Sequence, residues 1–264
     1  MNEILGRVAF TIGNIDIYWY GVIIAVSIIT AFALSFALLK VKGLPKDMPI
    51  DVFLAIIPLG IVCARLFSVL FDPGTTILDF FKFREGGMSI IGAVLGGVIG
   101  IIILCAFKKY KFLTVGDLIV PVLILAQAIG RWGNFANQEV YGWVITNPAL
   151  QFFPAGVLID GQWHMALFFY ECVLNLIGFA VLMVLYFKTK KAGVCTATYL
   201  IYYGTIRTVL ECFREEEYVL KWGNVPISQL ISVLFIIAGI MIAVWIIFND
   251  KKSDRQVKGD ARGK

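Results

Sequence analysis

MSIIGAVLGGVIGIIILCAF, residues 88–107, runs for twenty positions without an Asp, Glu, Lys or Arg. A bilayer's hydrocarbon core is crossed by about 20 apolar residues of helix. In that medium backbone groups must pair within the segment, so helix is the form a lone stretch of this kind takes. Working outward, blocks of the same kind lie at 17–39, 52–71, 113–131, 167–187, 194–213 and 227–248, with short polar stretches between them. The chain is 59% hydrophobic and 16% charged, with a mean hydropathy of +0.85. Soluble domains are nearer a quarter charged, and a water-soluble surface cannot be built from this composition. The sequence therefore predicts an all-α polytopic membrane protein, with about seven transmembrane helices, a small outer-face loop region and a single integral membrane domain over 1–264. The first block is longer than a signal-peptide core and lacks a small-residue cleavage pattern, so it is expected to remain in the mature protein.

Charge is distributed by loop. Lys40, Lys42 and Lys46 follow the first block, Lys108, Lys109 and Lys111 the third, and Lys188, Lys190 and Lys191 the fifth. The tail carries Lys251, Lys252, Arg255, Lys258, Arg262 and Lys264, whereas Glu215, Glu216 and Glu217 follow the sixth block. The positive-inside rule then places the amino terminus outside and the carboxyl terminus in the cytoplasm. That pattern also accounts for the net charge of +5 without nucleic acid as a partner. Cys63, Cys105, Cys172, Cys195 and Cys212 all fall within apolar blocks, with no metal or disulfide spacing. They are expected to be buried thiols acting as small apolar residues.

No internal repeat or low-complexity stretch marks a second domain. The longest segment between blocks, 132–165, is rich in aromatics, Gly and Asn. A second, 72–87, mixes Phe80, Phe81 and Phe83 with Lys82, Arg84 and Glu85, which suits either a short interfacial element or a simple connection.

Charged side chains inside hydrocarbon cost several kcal/mol, so each asks for a partner, a wet cavity or a ligand. Arg65, Asp117, Arg131, Glu171, Arg207, Glu211 and Arg214 are in that position. Asp117, after Thr114 and Gly116, reads as a capping carboxylate at a helix start. Arg207, Glu211 and Arg214, at i, i+4 and i+7, share a helix face. By the charge argument Arg65, Arg131, Glu171, Arg207 and Glu211 lie in the outer half of the membrane. Such groups either pair and snorkel to lock a bundle or converge to hold a lipid phosphate, for which guanidinium offers forked hydrogen bonds. The segment Gly130-Arg-Trp-Gly-Asn-Phe-Ala-Asn-Gln-Glu139 is polar and glycine-broken at a membrane boundary, and reads as a headgroup-binding turn. Trp19-Tyr20-Gly21 reads as an aromatic belt.

The Gly130–Glu139 segment resembles the signature of the prolipoprotein diacylglyceryl transferase family. Trp19-Tyr20-Gly21, Ala64-Arg65, Gly86-Gly87-Met88-Ser89, Gly116-Asp117-Leu118, Tyr170-Glu171, and Tyr203-Gly204 through Arg207, Glu211 and Arg214 are similar to further family motifs in the same order along nearly the whole chain. The resemblance implies transfer of the diacylglyceryl group of phosphatidylglycerol to the lipobox cysteine of a preprolipoprotein. The products would be a thioether and glycerol 1-phosphate, with no metal or organic cofactor. The implied partners are phosphatidylglycerol, the preprolipoprotein signal peptide and the bilayer. The implied location is the bacterial cytoplasmic (inner) membrane. It further implies catalytic roles for Arg131, Arg207 and Glu211. Arg131, Asn134, Asn137, Glu139, Tyr20, Arg65, Glu171 and Arg214 would bind substrate or support the pocket.

Two departures stand out. Where the family's Gly-Gly-Met-Ser stretch continues to a His or Tyr, this chain has Ile91, which neither accepts a proton nor donates a hydrogen bond. The usual His-Pro before Tyr-Glu is replaced by Met165-Ala166, with the chain's single histidine, His164, beside it. A lone loop histidine is incidental or a proton-transfer group. Ile91 keeps open an alternative reading, a catalytically weak paralogue that binds lipid or lipoprotein signal peptides. A small transporter is the third class, opposed by the absence of an inverted repeat and of charge near the midplane.

Overall fold

The computed structural model describes residues 8–71, 75–82, 87–219, 221–223 and 225–262. Asp72, Phe83, Arg84, Glu85 and Gly86 of the second outer segment lie outside the described residues, as do Lys264 and the side chains of the tail from 251 onward. In chain order the elements are strands β1 (Val8–Ile12) and β2 (Ile15–Tyr18), then helices α1 (Trp19–Lys42), α2 (Met48–Phe71), α3 (Ile90–Lys108) and α4 (Phe112–Asn137). Strands β3 (Gly156–Ile159) and β4 (Gln162–Met165) precede α5 (Leu167–Lys188) and α6 (Val194–Glu211), and β5 (Lys221–Trp222) and β6 (Val225–Pro226) precede α7 (Ile227–Arg262). The architecture is helical, as expected, with seven long helices among the described residues. Six of them are long and apolar enough to cross a membrane. The exception is α6, 18 residues long, whose sixth-block reading is diluted by Arg207, Glu211 and a run of Tyr and Thr.

The chain divides into two compact units, residues 35–118 and residues 1–34 with 119–264, so α1 and α4 each contribute to both. In the first unit α2 and α3 form an antiparallel hairpin. Gly92, Gly96 and Gly100 repeat every fourth residue along α3, and a Cβ on any of them would run into the carbonyls of Cys63, Leu59 and Ala55. Close backbone approach of this kind substitutes for the hydrophobic effect, which is absent between helices in lipid. At one end of the hairpin Asp51 accepts from Tyr110 Oη at 2.9 Å and pairs with Lys108 at 3.0 Å. At the other, a 3-10 turn over Ile77–Phe81 leaves Ile77, Leu78 and Phe81 exposed. Thr76 donates to Asp79 through N and Oγ1 at 2.7 and 2.8 Å. Lys82 and Thr76 hold the Asp79 carboxyl well below the usual carboxylate range.

In the second unit α6 and α7 also pack on glycine. A Cβ at Gly204 would sit 2.7 Å from Ser232 O, and one at Gly239 2.9 Å from Ala197 O. Gly178 of α5 lies under the Tyr202 ring, whose hydroxyl donates to Leu174 O at 2.7 Å.

Several boundaries differ from the sequence reading, each for a local reason. Ile17 belongs to β2, which pairs Phe10 with Ile17 and Ile12 with Ile15, so the first helix begins only at Trp19. The fourth helix continues to Asn137, so the expected headgroup-binding turn is helical through its first eight residues. Gly133 serves contact there, since a Cβ would lie 2.9 Å from the Tyr20 ring. The chain leaves the helix only at Gln138 and Val140, both with positive φ. Asp117 does not cap, because α4 starts at Phe112, with Lys111 O already accepting from Thr114 N and Val115 N. It lies buried more than a turn further on. Only Cys172 and Cys195 are fully buried, whereas Cys63 and Cys105 are half-buried and Cys212 is exposed.

Candidate functional site

The second unit gathers charge at the ends of three helices. Arg131 comes from the penultimate turn and a half of α4, Glu171 from the first turns of α5, Arg207 and Glu211 from the end of α6, and Arg214 from just beyond it. Glu171 is the hub. Its Oε1 accepts from Arg207 Nη1 at 2.6 Å and lies 3.7 Å from Arg214 Nη2, while Oε2 lies 2.5 Å from Arg131 Nε. That last approach is an ion pair without hydrogen-bond direction, for Oε2 has no hydrogen-bond partner. Glu211 Oε2 takes Arg207 Nη2 at 3.1 Å and faces Arg214 Nη1 at 3.4 Å.

Three guanidiniums thus face two carboxylates, all of them largely buried. The glutamate side chains are only 1–3% exposed and the arginines 10–17%. Charges so desolvated are tolerable only when paired and hydrogen-bonded, and among these five ion-paired groups the surplus is one positive charge, with the Glu139 carboxylate standing one hydrogen-bonded amide away from Arg131. Burial first, then the like charge of Arg207, pull the Arg214 guanidinium below its ordinary range. Its Nε is buried without a partner. Both conditions would be relieved by an incoming anion.

Beside the cluster, Arg131 Nη1 donates to Asn134 Oδ1 at 3.2 Å. Asn134 Nδ2 and Asn137 Nδ2 donate to Glu139 Oε1 at 3.1 and 3.3 Å. Helical continuation puts Arg131 and Asn134 on one face, and the chain reversal after Asn137 folds Glu139 back over them. Tyr20, packed on Gly133, lies within electrostatic reach of Glu139 and Arg131. Tyr20, Arg131, Asn134, Asn137, Glu139, Glu171, Arg207, Glu211 and Arg214 are therefore in one neighbourhood.

Arg65 belongs to the other unit and is described by its own partners. Its Nη1 donates to Gly87 O at 2.7 Å, Nη2 to Lys82 O at 2.9 Å and to Asp79 O, and Nε to Asp79 O at 3.1 Å. It fastens the backbone at Asp79, Lys82 and Gly87 to α2. His164 is likewise structural in its setting. It is buried in β4, donates from Nδ1 to Gly142 O at 3.1 Å and packs on Tyr141 at 4.3 Å between centroids. The strand-like stretch around Gly142 in turn bridges to Arg214, with Trp143 N donating to Phe213 O at 3.1 Å, so the 132–165 segment holds Arg214 in place. Sequence reading passes over Gln127 and Asn175. Their signal is spacing, four residues from Arg131 and four from Glu171 respectively.

Fold and site define a polytopic membrane protein with a buried, net-positive ionic cluster at its helix ends. Residues 7–245 match the family model described as prolipoprotein diacylglyceryl transferase. The chain is 34% identical over 259 residues to a Clostridium novyi protein named phosphatidylglycerol–prolipoprotein diacylglyceryl transferase, covering 96% of this chain and 100% of that one. It is 34% identical over 261 residues to phosphatidylglycerol–prolipoprotein diacylglyceryl transferase 1 of Clostridium perfringens, covering 96% and 99%. A Listeria innocua protein named like the first is 34% identical over 250 residues, covering 91% and 90%. The chain belongs to the prolipoprotein diacylglyceryl transferase family.

Proposed function

We propose that this protein transfers the diacylglyceryl group of phosphatidylglycerol to the lipobox cysteine thiol of preprolipoproteins. The thiolate attacks the glycerol carbon that carries the phosphate ester. A C–S bond forms, the C–O bond breaks, the phosphate leaves as glycerol 1-phosphate, and the thiol proton passes to solvent. Negative charge grows on the leaving phosphate oxygen, and preorganised cations in a dry site stabilise such charge far better than water does. The observation that carries this reading is the buried surplus cation formed by Arg131, Arg207 and Arg214 around Glu171 and Glu211.

In this reading Arg131 and Arg207 grip the phosphate with forked donors. Glu211 orients Arg207, and Glu171 sets the spacing between the cations. Asn134, Asn137, Glu139 and Tyr20 shape the headgroup site, Arg214 adds charge behind the phosphate, and Arg65 supports the segment that flanks α2. The nucleophile comes from the substrate, consistent with ion pairs in the cluster that involve arginine and glutamate and no cysteine. The protein resides in the bacterial cytoplasmic membrane with its amino terminus outside and its carboxyl terminus in the cytoplasm, which the Lys-rich ends of α1, α3 and α5 favour. The 132–165 segment then faces outward, where lipobox segments emerge.

The test is transfer of labelled diacylglyceryl from phosphatidylglycerol to a lipobox peptide by the purified protein, beside Arg131→Ala. Transfer by the wild type that the variant lacks supports the proposal. Intact, lipid-binding wild type without transfer refutes it and leaves the weak paralogue.

A further inference from the structure

Beneath the ionic cluster the same three helices carry a second polar layer. Gln127 stands four residues before Arg131 on α4, Asn175 four after Glu171 on α5, and Tyr203 four before Arg207 on α6. In each case the step leads away from the charged helix end and into the apolar span. Four residues at 1.5 Å each is about one helical turn, on the same face. Since Arg131, Glu171 and Arg207 meet, their neighbours one turn deeper border the same space.

This layer is short of partners. Gln127 Nε2 donates to Tyr199 Oη at 2.9 Å, and Tyr199 stacks on Tyr203 at 5.4 Å between centroids. Gln127 Oε1, however, is buried without a hydrogen bond, as are both Oδ1 and Nδ2 of Asn175, a residue 1% exposed. A buried amide left without partners is destabilising, and leucine would fill the position at no such cost. An amide retained there is explained by a polar group that arrives.

We infer that Asn175, with Gln127 at the matching depth of α4, forms a second subsite that receives an ester carbonyl of the diacylglycerol backbone. The inference rests on the phosphatidylglycerol reading above. With the phosphate in the arginine layer, the ester carbonyls hang only a few bonds away toward the bilayer centre, a reach comparable to one helical turn of ~5.4 Å. A carbonyl only accepts, and Asn175 Nδ2 is a free donor. The acceptor oxygens of Asn175 and Gln127 take water that enters with the headgroup. The subsite thus reads diacyl esters, which the phosphate-binding arginines cannot distinguish from ether-linked lipid.

The experiment compares diester phosphatidylglycerol with its dialkyl ether analogue, matched in chain length, as donors for wild type, Asn175→Leu and Gln127→Met. One neutral hydrogen bond sets the expected preference. The wild type favours the diester by about three- to tenfold in kcat/KM, and Asn175→Leu brings that ratio to about one. Gln127→Met reduces it less. Leucine nearly matches Asn in shape and leaves no unpaired amide, so Asn175→Leu is expected to fold, with a melting temperature at or above wild type. A merely structural Asn175 would alter stability and leave the ratio alone. The same ratio in wild type and Asn175→Leu, or no preference in the wild type, overturns the subsite. Failure of the wild type to transfer from either lipid refutes the transferase reading instead. Binding of the two lipids to the protein in nanodiscs then decides the subsite. A diester preference lost in Asn175→Leu supports it, and equal binding overturns it.

Discussion

Glu171→Gln is the most informative single change, because one carboxylate spaces three arginines from two helices and a loop. Arg207 Nη1 stands at 2.6 Å, Arg131 Nε at 2.5 Å and Arg214 Nη2 at 3.7 Å. At an effective dielectric of about 20, a unit pair about 4 Å apart between charge centres is worth about 4 kcal/mol. Part of that is returned by no longer desolvating a carboxylate, and breaking one partner of a buried pair costs about 3–5 kcal/mol. Glutamine keeps one acceptor oxygen for Arg207 but turns its amide donor toward a guanidinium donor, and the cluster's surplus rises to two positive charges. The middle of that range is therefore expected, about 4 kcal/mol. For a chain of this size each kcal/mol moves the midpoint by about 2–4 °C, so thermal unfolding in detergent, followed by tryptophan fluorescence, should begin roughly 8–16 °C earlier. Transfer should fall with it, since the arginines lose their spacing. The double variant Glu171→Gln/Arg214→Gln restores the charge balance and should regain about 1–2 kcal/mol, as coupled neighbours do. A Glu171→Gln midpoint within about 2 °C of wild type would show that Glu171 does not organise the cluster.

Arg131→Ala and Arg207→Ala should each lower kcat/KM for transfer by about 10²–10³, the scale of losing one preorganised charge-stabilising donor. Lysine at either position should restore only part, because it supplies charge without the fork. Cys63→Ser, Cys172→Ser and Cys212→Ser should leave transfer within about twofold of wild type if the thiol belongs to the substrate, read in the same assay. Gly96→Ala should cost about 1–3 kcal/mol through overpacking, measured as a lower melting temperature, because its Cβ has only the Leu59 carbonyl and Cys63 Cβ to occupy.

What the sequence made legible follows from the solvent. Long apolar runs have one stable form in hydrocarbon, so α2, α3 and α5 could be drawn nearly to their ends and α7 to its start, whereas α7 continues past the apolar run to Arg262. Charged residues within or at the ends of apolar blocks are so costly that Arg131, Glu171, Arg207, Glu211 and Arg214 announced themselves one by one. The limits of the reading lie where aqueous rules meet the boundary. Gly130 and Gly133 look like turn residues in water, yet α4 continues through both, since in a packed bundle glycine gives Tyr20 its place. The short β3–β4 hairpin and the bridge from Gly142 to Arg214 carry no periodic signal long enough to be read. Arg65 showed as a charge in a span, and its use on three backbone carbonyls of the following segment depends on tertiary geometry alone. Gln127 and Asn175 escaped because neutral amides are less conspicuous than charges, although burial without partners makes them comparably demanding.

Ile91 raises the question of where the thiol proton goes. It is the second residue of α3 and offers no titratable atom, and the cluster's two glutamates are already committed to arginines. The substrate thiol can instead ionise by itself. Its ordinary pKa is about 8.5, so roughly a tenth is thiolate one unit below that, and a nearby surplus cation enlarges the fraction. On this account the chemistry needs no protein base. The logarithm of kcat/KM should rise with pH at a slope of about one from roughly pH 6 to 8 and then level at the thiol's own pKa, with no falling limb while the arginines stay charged. Ile91→His should add little, because a base that ionises near pH 6.5 only competes with a route already open. If the wild-type profile turns down below pH 8, or if Ile91→His raises transfer severalfold at pH 7, a missing base is limiting and self-ionisation of the thiol is refuted.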